Sequence, residues 1–318
     1  MATASERARS AVTHRRRWVT ASELWGYAFI GPWILGFFVF TFGPFLASLY
    51  LSFTEYKLVG APTWIGARNY EQMFASLWSD AGDIQVWTSL RNTVYYTVAH
   101  VPLSLVLAFF IALLLNADVR GMPLFRTMFY LPSITAGVAT AILWLWLLNP
   151  SGLVNYALGL VGVQGPRWFG SSQWAMPGLI VMSLWGIGGT IIVYLAGLQG
   201  VPQQLYEAAS IDGAGPWTRL RHVTVPMMTP TIFFTMVMGL IASFQVFTPA
   251  LVITDGGPGT ATLFYLLHLY RNGFRWFNMG YASALAWFLF VIILVFTLLQ
   301  VRLSKRWVYY EGGRGDER

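Results

Sequence analysis

The groups in this chain able to do chemistry are few, and their placement is informative. Among 318 residues there are 13 Asp and Glu, four His, 20 Lys and Arg, and no Cys. Without Cys there are no disulfides, thiolate metal sites or Cys nucleophiles. No Asp, Glu, Lys or Arg falls well inside a long apolar block. Arg91, Arg126 and Arg302 stand at block ends, and His100 is the one titratable side chain in a block's interior. An intramembrane enzyme needs paired carboxylates, a His/Asp site or a Ser nucleophile with its base. A carrier driven by an ion gradient needs intramembrane carboxylates or other polar ion ligands. The blocks offer neither. No G-x-x-x-x-G-K-[ST] run cradles nucleotide phosphates. Active transport would therefore draw its energy from another subunit, and a passive channel is the other class left open. His100, close to Pro102, reads as a hydrogen-bonded helix residue.

The most informative polar stretch is 199–227. Pro202 suits a first helical turn, where its missing N–H costs nothing. Gln203 to Ile211 are mostly good helix formers. Gly213 can take the left-handed conformation that ends a helix. Pro216 can open a second short helix, which Pro226 then limits at Val225. The spacing predicts helix–turn–helix. Glu207, Ala208 and Ala209 share one turn: the alanines permit close approach of a partner, and Glu207 offers one fixed charge. An amphipathic loop lying on a membrane surface is the alternative reading of these residues.

The elements that must carry these residues follow from composition. The chain is 56% hydrophobic and 10% charged, against about 25% charged in ordinary soluble domains, and its mean hydropathy is +0.56. Six blocks, about 26–52, 92–115, 126–148, 174–198, 228–254 and 280–302, are long enough to cross a bilayer as helices. They lack a barrel's alternation. The predicted fold class is all-α: a polytopic membrane protein with six transmembrane helices and both termini cytoplasmic. On that topology 14 of the 20 cations lie inside and 6 outside, as the positive-inside rule requires. The net charge of +7 then reports topology and contact with membrane lipid, not nucleic acid. Three long outer connections result, about 53–91, 149–173 and 255–279. Residues 1–22 read as a solvated basic tail, because the block after Arg15, Arg16 and Arg17 is too long for a cleavable signal. Residues 23–303 form the membrane domain and 304–318 a second cytoplasmic tail.

The string Glu207-Ala208-Ala209-Ser210-Ile211-Asp212-Gly213-Ala214, followed by Pro226, resembles the "EAA" signature of permease subunits in binding-protein-dependent ABC importers. Its Asp-Gly-Ala continuation resembles the carbohydrate branch, in which maltose and glycerol-3-phosphate permeases fall. Leu131-Pro132 opening the third span fits that family. So do Gly256-Gly257-Pro258 with Tyr270 and Phe274 downstream, Trp64, Ile65, Gly66, Asn69 and Tyr70 after the first span, and Tyr309-Tyr310-Glu311-Gly312-Gly313 at the end. The resemblance implies a type I ABC importer permease fold at the bacterial inner membrane, with sugar or a sugar derivative as substrate. It also implies no enzymatic activity or cofactor in this chain, since ATP and Mg would be bound by the partner ATPase. The implied partners are a second homologous permease in a heterodimer, two copies of a cytoplasmic ATPase, and an extracytoplasmic sugar-binding protein. Glu207, Ala208, Ala209, Asp212, Gly213 and Ala214 would form the coupling element. A permease for a non-sugar solute, such as a glycerophosphodiester or a peptide, is the alternative within the superfamily.

Substrate contacts are sought where spans are interrupted near the midplane. Ser133, Thr135 and Gly137 follow Pro132 in the third span. Trp185, Gly186, Gly188 and Gly189 lie in the fourth, where the glycines loosen the helix and Trp185 could stack on a sugar. The fifth has Ser243, Gln245 and Phe247, which offer hydrogen bonds and an aromatic face. Counted from the loop Glu, Trp185, Gly186, Gly189 and Ser243 fall near sugar-contacting positions of the maltose relative, and only Gly186 is an identity. Small residues also serve helix packing in membranes, so packing stands as the alternative at each position. Asp255 to Pro258 reads as a turn.

Overall fold

A computed structural model describes residues 21–79 and 82–309. Nearly all of the predicted basic tail and the string 310–313 lie outside the described residues. The described chain is helical apart from turns and one two-stranded ribbon. It divides into two units, Met1–Tyr50 and Leu51–Arg318.

In the first unit α1 (Ala21–Phe37) runs through a five-residue π-turn into α2 (Gly43–Ser52). Trp25–Ser52 is thereby one apolar helix of 28 residues, about 42 Å long at 1.5 Å per residue. Its aromatic rings pack on one another, Trp33 stacked on Phe37 at 5.7 Å and Phe38 edge-on to Phe42 at 5.4 Å.

The second unit opens with the ribbon, β1 (Thr54–Glu55) against β2 (Thr63–Trp64), antiparallel. The next helix, α3 (Arg68–Ala75), is tied back to it. Buried Asn69 donates to the Ser52 and Thr54 carbonyls at 2.8 and 3.0 Å, and the Tyr70 hydroxyl donates to Ser52 Oγ. Asn69 and Tyr70, two of the residues quoted after the first span, thus hold the loop that follows it together.

The axis of this unit is α4 (Ile84–Leu115). Asp83 caps its start by accepting from the Gln85 N–H at 3.0 Å. Arg126 serves its end, donating from Nε and Nη2 to the Leu115 carbonyl. Three buried clusters lie along it: Val86 with Met73, Tyr265 and Leu285; Tyr96 with Leu179, Phe264 and Leu267; and Ala108, Phe109 and Ala112 with Ile191, Tyr194 and Met228. Ala108 and Ala112, one turn apart and fully buried, let neighbouring helices approach closely.

Among the described residues four helices are long and apolar enough to cross a membrane: Trp25–Ser52, Ile84–Leu115, Pro216–Phe244 and Met279–Ser304, the last being α14. The third and fourth predicted spans are bent pairs. The first pair is α5 (Met122–Tyr130), with the 3₁₀ turn Leu131–Ile134, followed by α6 (Gly137–Leu147); it bends by 101°. The second is α8 (Ala175–Leu184) with α9 (Gly188–Gln199), bent by 44°. Between the pairs lies α7 (Leu153–Leu160). The described residues therefore hold four helices able to span, or up to six spans if each bent pair counts as one.

Leu131-Pro132 thus does not open a straight span but stands at its break. Pro132 lacks the N–H that a continuous helix would use, and Ser133 and Thr135 turn their hydroxyls onto the Tyr130 and Leu131 carbonyls. Such back-bonding competes with the ladder. The second span begins eight residues before its predicted start, so Arg91 lies within the helix, on an exposed side. The fifth ends at Phe244, ten residues short of its predicted end.

Candidate functional site

The stretch predicted as helix–turn–helix folds as one. Pro202 stands just before α10 (Gln203–Ile211). The Ala214 N–H bonds the Ala209 carbonyl at 2.8 Å and the Gly213 N–H bonds Ser210 at 3.1 Å, with Gly213 at φ +78°. This paired closure satisfies carbonyls that a helix end leaves free, and it needs a left-handed residue. The following helix differs from prediction. α11 (Pro216–Arg219) does not stop before Pro226; it passes through the π-turn Leu220–Thr224 into α12 (Val225–Phe244). A wide turn here gives room for a proline ring and leaves no N–H owed at Pro226.

Two side-chain bonds fasten α10 to this long helix. Tyr206 and Thr224 share a hydrogen bond of 3.0 Å, and Arg219 Nη1 donates to Ser210 Oγ at 3.1 Å. Tyr206 and Ser210 are four residues apart and so on one face. The other face is bare: Glu207, Ala208 and Asp212 are exposed, and Ile211 is 87% exposed. The Glu207 carboxylate makes no hydrogen bond or ion pair with the described residues. Ala209 and Ala214 are half-buried at the turn. The element is thus a short, capped helix, anchored on one side and open on the other.

The proposed pathway residues gather at three chain interruptions. A Cβ on Gly188 would collide with the Phe129 carbonyl oxygen and approach Ser133 Oγ to 3.2 Å, so the breaks of the two bent pairs abut. A Cβ on Gly137 would reach Thr248 at 3.9 Å, which brings the third interruption, 245–247, alongside. Trp185 stands edge-on to Trp144 at 5.9 Å between ring centres. It also lines a cavity of about 430 Å³ with Phe129, Pro132 and Leu184. Gly186, Gly189 and Gln245 are exposed. Ser133 is spent on the Tyr130 carbonyl at 2.7 Å. Ser243 is buried and bonded to His100 Nδ1 at 3.3 Å, and Phe247 packs on Tyr270 at 4.9 Å. The structure therefore places Trp185, Gly186, Gly189 and Gln245 at open positions and Ser243 and Phe247 in packing contacts.

Sequence reasoning missed two features. Trp144 sits in an unbroken apolar run, yet its indole N–H is buried without a partner. At the head of α4, Asp83 Oδ2 lies 2.8 Å from His268 Nε2 and accepts from the Tyr281 hydroxyl at 3.1 Å. His268 belongs to α13 (Tyr265–Tyr270), which follows the left-handed Asp255 and the cis Gly257–Pro258 bond. Asp255 pairs with Arg271 and Arg275 at 3.2 and 3.1 Å, as befits the predicted turn.

Comparison with known proteins agrees with this architecture. Residues 101–309 match the model of the family described as binding-protein-dependent transport system inner membrane component. The probable ABC transporter permease protein YesP of Bacillus subtilis is 44% identical over 301 residues, 93% of this chain and 96% of that protein. The lactose transport system permease protein LacF of Rhizobium radiobacter is 32% identical over 287 residues, covering 88% and 94%. Among solved structures, a chain of a bacterial ABC transporter involved in import of the acidic polysaccharide alginate superposes with a TM-score of 0.78 at 26% identity, covering 90% and 96%. The chain is a multi-pass ABC transporter permease and belongs to the family of binding-protein-dependent transport system inner membrane components.

Proposed function

We propose that this chain is one transmembrane subunit of an ATP-driven importer that moves a saccharide or sugar derivative across the inner membrane. The observation that carries the coupling step is the anchored but bare α10. A short helix fixed to the base of a membrane helix and open on its outer face transmits the rigid-body motion of whatever grips it. Glu207, Ala208, Ala209, Asp212, Gly213 and Ala214 form the gripped surface. Residues 202–226 dock on a cytoplasmic ATPase, with Glu207 meeting a cationic side chain there. ATP and Mg stay with the ATPase, and this chain hydrolyses nothing. Each bent pair counts as one span, giving six with both termini cytoplasmic. A second homologous permease completes the pathway, and the outer connections receive a sugar-loaded binding protein. Relatives that carry lactose and alginate support the saccharide class. So does the pairing of Trp185 and Trp144 beside the interruptions, where an indole face and an unpaired N–H suit a sugar ring and its hydroxyls.

The test is uptake of labelled saccharides into vesicles holding the complete transporter. Wild type is expected to take up sugar only with ATP. Glu207→Ala and Gly213→Asp are expected to lower uptake at least tenfold while the subunits' membrane insertion is unchanged. ATP-independent uptake, or indifference to both changes, would refute the coupling role; ATP-driven uptake of glycerophosphodiesters but not sugars would refute the substrate class alone.

A further inference from the structure

The end of α14 carries a charge cluster left without partners. Arg302, Lys305 and Arg306 are exposed, and their side chains make no hydrogen bond or ion pair with any described residue. Arg302 stands in the last turn of α14, Lys305 caps it, and Arg306 follows in the closing turn, its N–H on the Leu303 carbonyl. With Leu298 and Val301 they line a groove of about 590 Å³, two apolar side chains beside three cationic ones. The chain beyond is held in place: the Tyr309 N–H bonds Thr229 Oγ1 at 2.9 Å, and Trp307 packs edge-on to Phe233 at 6.1 Å. Topology needs only a net excess of cations on one side, and a helix C-terminus is complemented by one of them. Neither requires three cations around an apolar groove.

We propose that this groove binds an anionic phospholipid of the leaflet in which α14 ends. The phosphate accepts from the guanidinium groups of Arg302 and Arg306 and from the Lys305 ammonium, and an acyl chain lies along Val301 and Leu298. Guanidinium forks suit phosphate oxygens, and Trp307, 41% exposed, suits the headgroup level of a bilayer. The inference rests on the chain's spanning a membrane and is independent of what it transports.

Native mass spectrometry of the complete transporter in detergent tests it, with phosphatidylglycerol, phosphatidylcholine and inorganic phosphate as probes. Wild type is expected to retain phosphatidylglycerol over phosphatidylcholine, with inorganic phosphate failing to displace it. Arg306→Gln leaves two cations to preserve insertion and is expected to lower retention roughly fivefold. The triple change R302Q/K305Q/R306Q is expected to abolish the preference, and Arg120→Gln to leave it intact. Equal retention of the two lipids by wild type, or retention unchanged in Arg306→Gln and the triple variant, would overturn the proposal. Displacement by inorganic phosphate would overturn it in favour of a free-phosphate site. Adducts seen on the permease subunits but absent from the complete complex would assign the groove to a partner chain and overturn it as well.

Discussion

Adjacent glycines at the bend between α8 and α9 separate two roles a small residue can have. Gly188 is where backbones meet, since any Cβ there strikes the Phe129 carbonyl; Gly189 faces open space. Gly188→Ala is therefore expected to cost about 1–3 kcal/mol by overpacking. Gly189→Ala is expected to be neutral or slightly stabilising, given alanine's helix propensity. Thermal unfolding of the purified complex compares them, and equal midpoints would contradict the close approach. A loss of uptake in Gly189→Ala at unchanged stability would then report on the pathway. Asp83 illustrates electrostatics at the same scale. Burial raises its pKa, but the hydrogen bond and charge of His268, the Tyr281 hydroxyl and the Gln85 N–H more than offset this, and the net shift is downward. A carboxyl whose folded pKa lies below its unfolded value adds stability above about pH 4, lost as pH falls through the folded value. Wild type is expected to lose thermal stability between pH 5 and pH 3, both about the carboxylate range. Asp83→Asn is expected to be less stable at neutral pH and to show a flatter acid limb; identical limbs would sink this account.

Among the elements, α4 organises the second unit because its two ends are served by side chains. Asp83 caps one end and Arg126 the other, and buried residues lie along its whole length. Asn92 donates to the Thr260 and Leu263 carbonyls, and Thr93 Oγ1 accepts from the Tyr265 N–H at 2.9 Å. Together these staple the segment after the fifth span to the second. Under the proposed docking, the fusion of α11 with α12 carries a push on α10 into the fifth span through the Tyr206–Thr224 and Arg219–Ser210 bonds. The interruptions at 135–136, 185–187 and 245–247 leave backbone groups outside the helical ladder, and such segments are tolerated at membrane depth only when buried in protein or facing water. The first of these lies against both of the others, and the proposed path would run beside it.

For the whole molecule, the proposed topology has a direct test, because the natural chain contains no Cys. Single Cys residues at Val59, 90% exposed in an outer connection, and Ile211, 87% exposed on α10, can be probed with a membrane-impermeant maleimide on intact cells. Val59→Cys is expected to label at once and Ile211→Cys only after permeabilisation. The reverse pattern would invert the topology and remove α10 from the reach of a cytoplasmic ATPase. The exposed apolar sides of α5 and α6, including Phe125, Met128, Val138 and Trp146, suit a molecule whose surroundings include lipid.

What the sequence alone determined is what local physics decides. Long apolar blocks announce membrane helices because an unpaired backbone group in lipid is too costly for any other form. The capped α10 is legible because its closure runs over six residues, Ala209 to Ala214, with Gly213 supplying the one left-handed position. The hydrogen-bonded helix residue expected at His100 has Ser243 as its partner. Tertiary structure decided the rest. Pro132 signals a defect but not a bend of 101°, whose sense depends on the neighbours that Gly188 admits. Pro226 signals a stop, yet a π-turn absorbs it. Asp83 and His268 lie 185 residues apart, and no spacing rule joins them; only the packing of α13 against the head of α4 brings the carboxylate to the imidazole.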